Sequence, residues 1–213
     1  MTDHAALLAT RSGGKLRELR PLFAAQGVDV IDLVDAGVAV TADEDGLEVF
    51  DSFEENALAK ARYFHARTNR PTFADDSGLS VAALGGAPGV MSKRWSGRRD
   101  LAGQALDDEN NRFLLERLSG VAHRGAHYVC AAAYVDAEHA VVCRGEVHGR
   151  MLDAARGVHG FGYDPYFYSD ELERTFGEAP AYEKERVSHR GRAFRALFAG
   201  LGDASVGIFS STR

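Results

Sequence analysis

Ala5-Ala-Leu-Leu-Ala-Thr-Arg-Ser-Gly-Gly-Lys-Leu-Arg-Glu-Leu-Arg-Pro-Leu-Phe23 changes period part-way along. Ala5 to Ala9 is a short apolar run that reads as a buried strand. From Lys15, the residues Leu16, Leu19, Leu22 and Phe23 recur at helical spacing. The break between them, Thr10-Arg-Ser-Gly-Gly14, is a strand-to-helix turn, which sets backbone N–H groups and a helix N-terminus where an anion can sit. Thr10 and Ser12 can donate hydroxyl bonds there. Gly13 and Gly14 let the backbone approach a phosphate, and Lys15 adds a point charge. The run is not the GxxxxGK[ST] pattern of a P-loop.

The same alternation continues outward. Val28 to Leu33 predicts a second strand, and an acidic loop follows from Asp35 to Asp51. Phe53 to Thr68 predicts a helix with Phe53, Ala57, Ala61 and Phe64 on one side and Glu55, Asn56 and Lys60 on a neighbouring face. Thr72 to Ala74 predicts a strand, and Asp107 to Leu118 a helix with Asp107 or Asp108 as its N-cap. His127 to Val135 and Ala140 to His148 form two strands joined by a turn at Asp136–His139. A last helix runs from Ser188 to Phe198. Helices and strands that alternate early, with a hairpin later, give an α/β fold with a mixed sheet. Neither a linker nor a repeat interrupts the chain, so residues 1–213 read as a single domain.

Composition narrows the function classes. The chain of 213 residues is 45% hydrophobic and 26% charged, with a formal net charge of −6. A real core is expected, and a broad basic footprint for a nucleic acid polymer is not. A local cluster of Lys, Arg and metal favours a small phosphorylated ligand. No segment approaches the roughly 20 apolar residues of a membrane span, and Met1 to Arg11 lacks the shape of a signal peptide. Cys130 and Cys143 read as reduced thiols and the location as cytoplasmic. His4, His65, His123 and His139 lack ligand spacing and read as surface residues.

Three further stretches concentrate chemistry. Phe73-Ala-Asp-Asp-Ser-Gly78 sets two carboxylates at the end of an apolar strand. Adjacent strand residues face opposite ways, so both can serve one site only if the chain turns, and Ser77-Gly78 is expected to supply that turn. Paired charge in such a place points to a metal or a substrate proton. Gly160-Phe-Gly-Tyr-Asp-Pro165 alternates glycine with aromatics, as a loop does that brings backbone close to a flat ring, with Phe161 available to stack. Ser188-His-Arg-Gly-Arg192 gathers donors at the start of the last helix.

In this order, these motifs resemble the inosine triphosphate pyrophosphatase-like family of non-canonical purine nucleoside triphosphate pyrophosphatases. The resemblance runs from Ala9 to about Ala193. It is carried by Ala74-Asp-Asp-Ser-Gly-Leu79, Ala83-Leu-Gly-Gly-Ala-Pro-Gly-Val90, Gly160-Phe-Gly-Tyr-Asp-Pro165 and Ser188-His-Arg-Gly191. Phe53-Glu-Glu-Asn-Ala57 with Lys60, Trp95-Ser-Gly97 and Glu183-Lys184 support it.

The resemblance implies an elongated, two-lobed fold around a long mixed β-sheet with flanking helices, a nucleotide cleft between the lobes, and a homodimer. It implies hydrolysis of dITP, ITP and XTP or dXTP to the monophosphate and pyrophosphate, with Mg²⁺ as cofactor. Thr10, Arg11, Ser12, Gly13, Gly14 and Lys15 would bind the triphosphate, and Lys60 and Lys184 would add charge. Glu48 and Asp76 would hold Mg²⁺, with Asp75 and Glu55 contributing through water, and Asp76 would activate the attacking water. Ser77, Phe161, Gly162, Tyr163, Asp164, His189 and Arg190 would contact the nucleotide. Donors from His189, Arg190 and the backbone would suit a 6-oxo purine and oppose adenine.

The chain departs from the family pattern at three positions: Arg11 stands where Gly is usual, Ser12 where Asn is usual, and Phe50 where Gly is common. The Phe-Gly-Tyr-Asp and Ser-His-Arg runs favour this family over the Maf-like pyrophosphatases. A non-catalytic nucleotide binder and a general phosphohydrolase are the other readings.

Overall fold

The structure is a computed structural model and describes residues 5–203, so His4 lies outside the described residues. In chain order the elements are β1 (Ala6–Leu8), α1 (Gly13–Ala25), β2 (Val30–Asp32), α2 (Phe53–Thr68), β3 (Thr72–Val81), α3 (Gly103–Arg117), β4 (Gly125–Val135), β5 (Ala140–Met151), β6 (Phe167–Ser169), β7 (Arg174–Thr175), α4 (Ala181–Val187) and α5 (His189–Asp203). Short 3₁₀ turns occupy Ala42–Gly46, Ala82–Leu84 and Gly89–Arg94.

The strands form one mixed sheet of seven in the order β2-β1-β3-β4-β5-β6-β7. β1 pairs in parallel with both β2 and β3, because α1 and α2 carry the chain back between those strands. β6 pairs antiparallel with β5 and with β7. This is the mixed α/β sheet expected.

Among the described residues, the chain gathers into two compact units. Residues 5–76, 130–145 and 190–203 make the first, and residues 77–129 and 146–189 the second. The first has a core of Leu8, Phe23, Phe73, Tyr134, Phe194 and Phe198, in which Phe23 meets Phe73 edge-on at 4.8 Å between ring centroids. The second packs Leu79, Leu114, Leu118, Tyr163, Phe167 and Phe176.

Two elements differ from expectation in ways that matter for the site. β3 does not end at Ala74 with a turn at Ser77-Gly78; it continues as extended strand to Val81. The consecutive carboxylates of Asp75 and Asp76 are tolerated in mid-strand because each finds its own polar partners, described below. α3 begins at Gly103, four residues before Asp107, and no side chain caps it. The Asp107 carboxylate instead accepts the N–H of Gly162, from another loop. Cys130 and Cys143 are both free thiols.

Candidate active site

In the first unit, the turn after β1 is built by its own hydroxyls. Thr10 Oγ1 accepts the Ser12 N–H at 3.1 Å, and Ser12 Oγ accepts the Lys15 N–H at 3.3 Å as the N-cap of α1. Serine is among the strongest N-cap residues, so the departure at position 12 keeps the helix start intact. Gly13, Gly14 and Lys15 then form the first turn, whose N–H groups have no partner within the helix geometry. Arg11 is committed elsewhere. Its guanidinium forms a bidentate pair with Glu44 at 2.8 and 3.1 Å and donates to the Val38 carbonyl at 2.9 Å. The Arg11 bonds hold Glu44 below the usual carboxylate range despite burial.

Asp75 and Asp76 follow one another on β3 and sit in opposite electrostatic states. Asp75 is buried. Its Oδ2 lies 3.0 Å from Lys15 Nζ and 3.2 Å from Arg190 Nε and accepts the Cys130 S–H at 3.8 Å. Its Oδ1 is buried without a hydrogen-bond partner. Burial pushes the Asp75 carboxyl up, but Lys15, Arg190 and Lys60 together outweigh it and hold it well below the ordinary range. Asp76 is pushed the other way, by burial first and then by the negative charge of Glu48. Lys15, Lys60 and the Asn56 amide only partly offset this. Asp75 is therefore a fixed anion, and Asp76 is the stronger base of the two.

α2 supplies the rest of this cluster. Its N-cap Ser52 and its left-handed C-cap Asn69 fix its ends, and its buried face presents Asn56 and Lys60. Asn56 Nδ2 donates to Asp76 Oδ2 at 2.9 Å and to the Phe50 carbonyl at 3.2 Å, while its Oδ1 accepts the Phe50 N–H at 2.9 Å. One amide thus ties Asp76 to the segment that carries Glu48. Phe50 is not among the residues with positive φ, so glycine is not required there. Lys60 pairs with Glu48. Burial lowers the Lys60 pKa, but Glu48, Asp75 and Asp76 raise it more, so it stays charged. Glu55 is exposed and bonded to Ser52 at 2.7 Å, completing the helix cap. Asn56 rather than Glu55 is the residue that reaches Asp76. The signal was its place on the same helix face as Lys60.

Arg190 also belongs to this unit. It pairs with Glu18 of α1 as well as with Asp75, and these partners raise its pKa although burial opposes them. It thus serves as a buried counter-ion.

The second unit holds the Gly–aromatic loop, and there the polar groups are mostly internal. Asp164 is buried. Its Oδ2 accepts the Phe161 N–H at 2.8 Å and pairs with Lys184 Nζ at 2.5 Å, and its Oδ1 lies 3.4 Å from the Tyr128 hydroxyl. Lys184 Nζ stands 5.3 Å from the Phe161 ring centroid and 5.2 Å from that of Phe176, within cation–π range. Gly160 has φ +77°, and a Cβ there would come within 2.1 Å of Asp164 Oδ2, so only glycine fits. Tyr163 is buried in the core, its hydroxyl donating to the Ser92 carbonyl at 2.7 Å, while Phe161 and Gly162 remain half-buried. His189 is buried and stacks on Tyr128 at 4.5 Å with planes 7° apart. Ser77 lies on β3 and is half-buried. His159, which adjoins this loop, donates its backbone N–H to the Gly177 carbonyl at 2.9 Å and is exposed.

Of the expected site residues, Thr10, Ser12, Lys15, Glu48, Lys60, Asp75, Asp76 and Arg190 fall in the first unit, with the first, second and third of these shaping the turn. Ser77, Phe161, Gly162, Tyr163, Asp164, Lys184 and His189 fall in the second.

The pattern of the Ham1 family matches residues 6–200. The chain belongs to the Ham1 family. A dITP/XTP pyrophosphatase of Frankia alni is 48% identical over 194 residues, covering 90% of this chain and 94% of that one. One from Thermus thermophilus is 44% identical over 201 residues, covering 92% and 91%. Among solved structures, the HAM1 protein of Coxiella burnetii superposes with a TM-score of 0.79 at 34% identity, covering 94% of this chain and 99% of that one. The nucleoside-triphosphatase / dITP/XTP pyrophosphatase of Mycobacterium abscessus gives a TM-score of 0.68 at 40% identity, covering 91% and 97%. As a Ham1 chain, it carries a cluster of carboxylates and cations in the first unit and a hydrogen-bonded Gly–aromatic loop in the second.

Proposed function

We propose that this chain hydrolyses dITP, ITP and XTP or dXTP to the monophosphate and pyrophosphate, removing them before polymerases can incorporate them. The observation that carries the reading is the placement of two neighbouring carboxylates, Asp75 between Lys15 and Arg190 and Asp76 held by Asn56. Asp75 is held as an anion by cations, while Asp76 is made basic by burial and by Glu48. A water attacking a phosphorus needs a base to take its proton, and Asp76 is suited to that task. Asn56 holds Asp76 in one orientation. Lys15 and Lys60 bring positive charge to the same cluster and offset the negative charge of the triphosphate and of the leaving pyrophosphate.

Mg²⁺ is the proposed cofactor. Among the described residues no group of three or more His, Cys, Asp or Glu could hold a metal. The Glu48–Asp76 pair nevertheless fits a substrate-borne Mg²⁺, which is typically held by one or two carboxylates together with phosphates. The charge of Glu48 on Asp76 is unfavourable by itself, and a cation would relieve it. When bound there, Mg²⁺ supplies screening of the phosphate oxygens and orientation for the water.

At the base end, Phe161 offers a ring for stacking, while His189 and backbone N–H groups offer donors for a 6-oxo edge. Each buried donor left opposed by adenine costs about 1–3 kcal/mol, so two or three supply about 10²-fold discrimination or more.

The chain has no described helix long and apolar enough to cross a membrane. The proposal includes a cytoplasmic homodimer, on the family resemblance, with small-molecule triphosphates as partners and no nucleic acid polymer or membrane. Light scattering at assay concentration reads the oligomer.

The test is release of pyrophosphate from dITP, XTP, dGTP and dATP, each with Mg²⁺ and with EDTA. Metal-dependent release from dITP and XTP is the expected result. Orthophosphate in place of pyrophosphate, or equal release from all four, would overturn it.

A further inference from the structure

α3 carries two polar side chains that take no part in the charge cluster of the first unit. Asp107 and Asn111 are one helical turn apart and share a face with Leu114, which is buried in the core of the second unit. Both grip the same residue of the Gly–aromatic loop. Asp107 Oδ2 accepts the Gly162 N–H at 2.9 Å, and Asn111 Nδ2 donates to the Gly162 carbonyl at 2.8 Å.

The Asn111 amide is fixed in its orientation. Its nitrogen also donates to the Asp107 backbone carbonyl at 2.9 Å, so both of its neighbours are acceptors and a flipped amide would face oxygen with oxygen. The Asn111 Oδ1 is buried without a partner, so this side chain is placed for its donors alone. Gly162 has φ +62° with open space where a Cβ would stand. Glycine is therefore needed there for backbone conformation, and that conformation is what α3 holds.

Phe161 is the next residue. Its own N–H is taken by Asp164 at 2.8 Å and its carbonyl accepts the Asp164 N–H at 3.3 Å. With Gly162 gripped at both polar groups, the backbone on either side of the Phe161 ring is fixed.

Resting on the pyrophosphatase reading above, we propose that Asp107 and Asn111 are specificity-determining positioning residues: a clamp from α3 that holds the Phe161–Gly162 backbone in the geometry that selects the purine. Both side chains bond Gly162 and belong to the second unit, not to the charge cluster of the first. Their effect is therefore expected on base selection and not on the phosphate end, because binding groups held in place before the ligand arrives contribute by lowering the ordering cost.

The test compares wild type with Asp107→Ala, Asp107→Asn, Asn111→Asp and the control Asp108→Asn. For each, kcat and KM are measured for dITP and dATP, together with inhibition by inorganic tripolyphosphate and the thermal midpoint. Asp107→Ala and Asn111→Asp are expected to raise KM for dITP about tenfold, the size of effect that loss of one well-placed hydrogen bond produces. They are also expected to narrow the dITP-to-dATP ratio of kcat/KM, with kcat for dITP and tripolyphosphate inhibition unchanged. Asp107→Asn keeps an oxygen that can accept the Gly162 N–H and is expected to restore the wild-type ratio. Asp108 is exposed and bonded to Gln104, so its change is expected to alter nothing.

Should Asp107→Ala fail to fold, the pair Asp107→Asn and Asn111→Asp still decides the matter, since the first is expected to keep discrimination and the second to lose it. Asp107→Ala and Asn111→Asp variants that discriminate as wild type does, or that lose tripolyphosphate inhibition in parallel with KM, overturn the clamp. A wild type that releases no pyrophosphate from dITP breaks the functional reading itself, which is a different result from an active wild type with indifferent variants.

Discussion

The two units carry their polar groups in contrasting ways. In the first, buried charges meet buried or half-buried ones: Asp75 with Lys15 and Arg190, Lys60 with Glu48, Arg190 with Glu18. In the second, Asp164 and Lys184 make one such pair, and the remaining contacts are rings and backbone: Phe161, Tyr128 on His189, and Gly162 under α3. A phosphate end needs charge that a polyanion can share, whereas a base end needs a flat surface and donors at fixed positions. On the proposed function, the contrast leads to the expectation that substitutions in the first unit act on turnover and stability together, and those in the second on selection.

The largest test of that contrast is Asp76→Asn. Proton acceptance by a positioned group contributes about 10²–10⁴-fold, so kcat is expected to fall by at least that order, while binding of metal-free dITP, read by calorimetry in EDTA, is kept. A variant that still turns over would take the base out of the first unit. Next is Asp75→Asn, which leaves Lys15, Arg190 and Lys60 around a neutral group. Removing one partner from such a buried set costs about 3–5 kcal/mol, to be read as a lowered denaturation midpoint. An unchanged midpoint would show that the cations find other partners.

Phe161→Ala addresses the second unit. Loss of a stacking ring is expected to raise KM for dITP about tenfold, in line with the ~1–3 kcal/mol of base–aromatic stacking, and to leave inhibition by tripolyphosphate as it was. A fall in kcat instead would erase the division between the units. The smallest effect is expected from Arg11→Gly. The Arg11–Glu44 pair is partly exposed, so its loss is expected to cost no more than about 1 kcal/mol in stability, with KM within about twofold of wild type. A large rise in KM would return Arg11 to the phosphates.

Much of the frame was legible in local patterns. Apolar spacing predicts α2 over Phe53–Thr68, and the helix is found there, with Ser52 and Asn69 capping its ends. Asp-Asp-Ser-Gly has the composition of a turn, which predicts a shorter β3 than the strand found over Thr72–Val81. What keeps it extended is its flanking strands and the cations gathered from α1, α2 and α5, none of them local to it. The start of α3 was placed late for a related reason: Asp107 looks like a cap, but its partner is 55 residues away. The candidate residues were legible as motifs. Their pairings were not, because Arg190 with Glu18, Lys60 with Glu48 and Arg11 with Glu44 are tertiary choices among many possible partners.

The sulfur behind Asp75 has a consequence for how the enzyme ages. Cys130 is fully buried, and burial with the Asp75 charge pushes its thiol far above the ordinary range. Nucleophilic attack by cysteine requires the thiolate, which this environment forbids. The heart of the carboxylate cluster therefore presents no thiolate for peroxides or alkylating reagents to modify, and no reductant is expected to be needed to keep Cys130 intact.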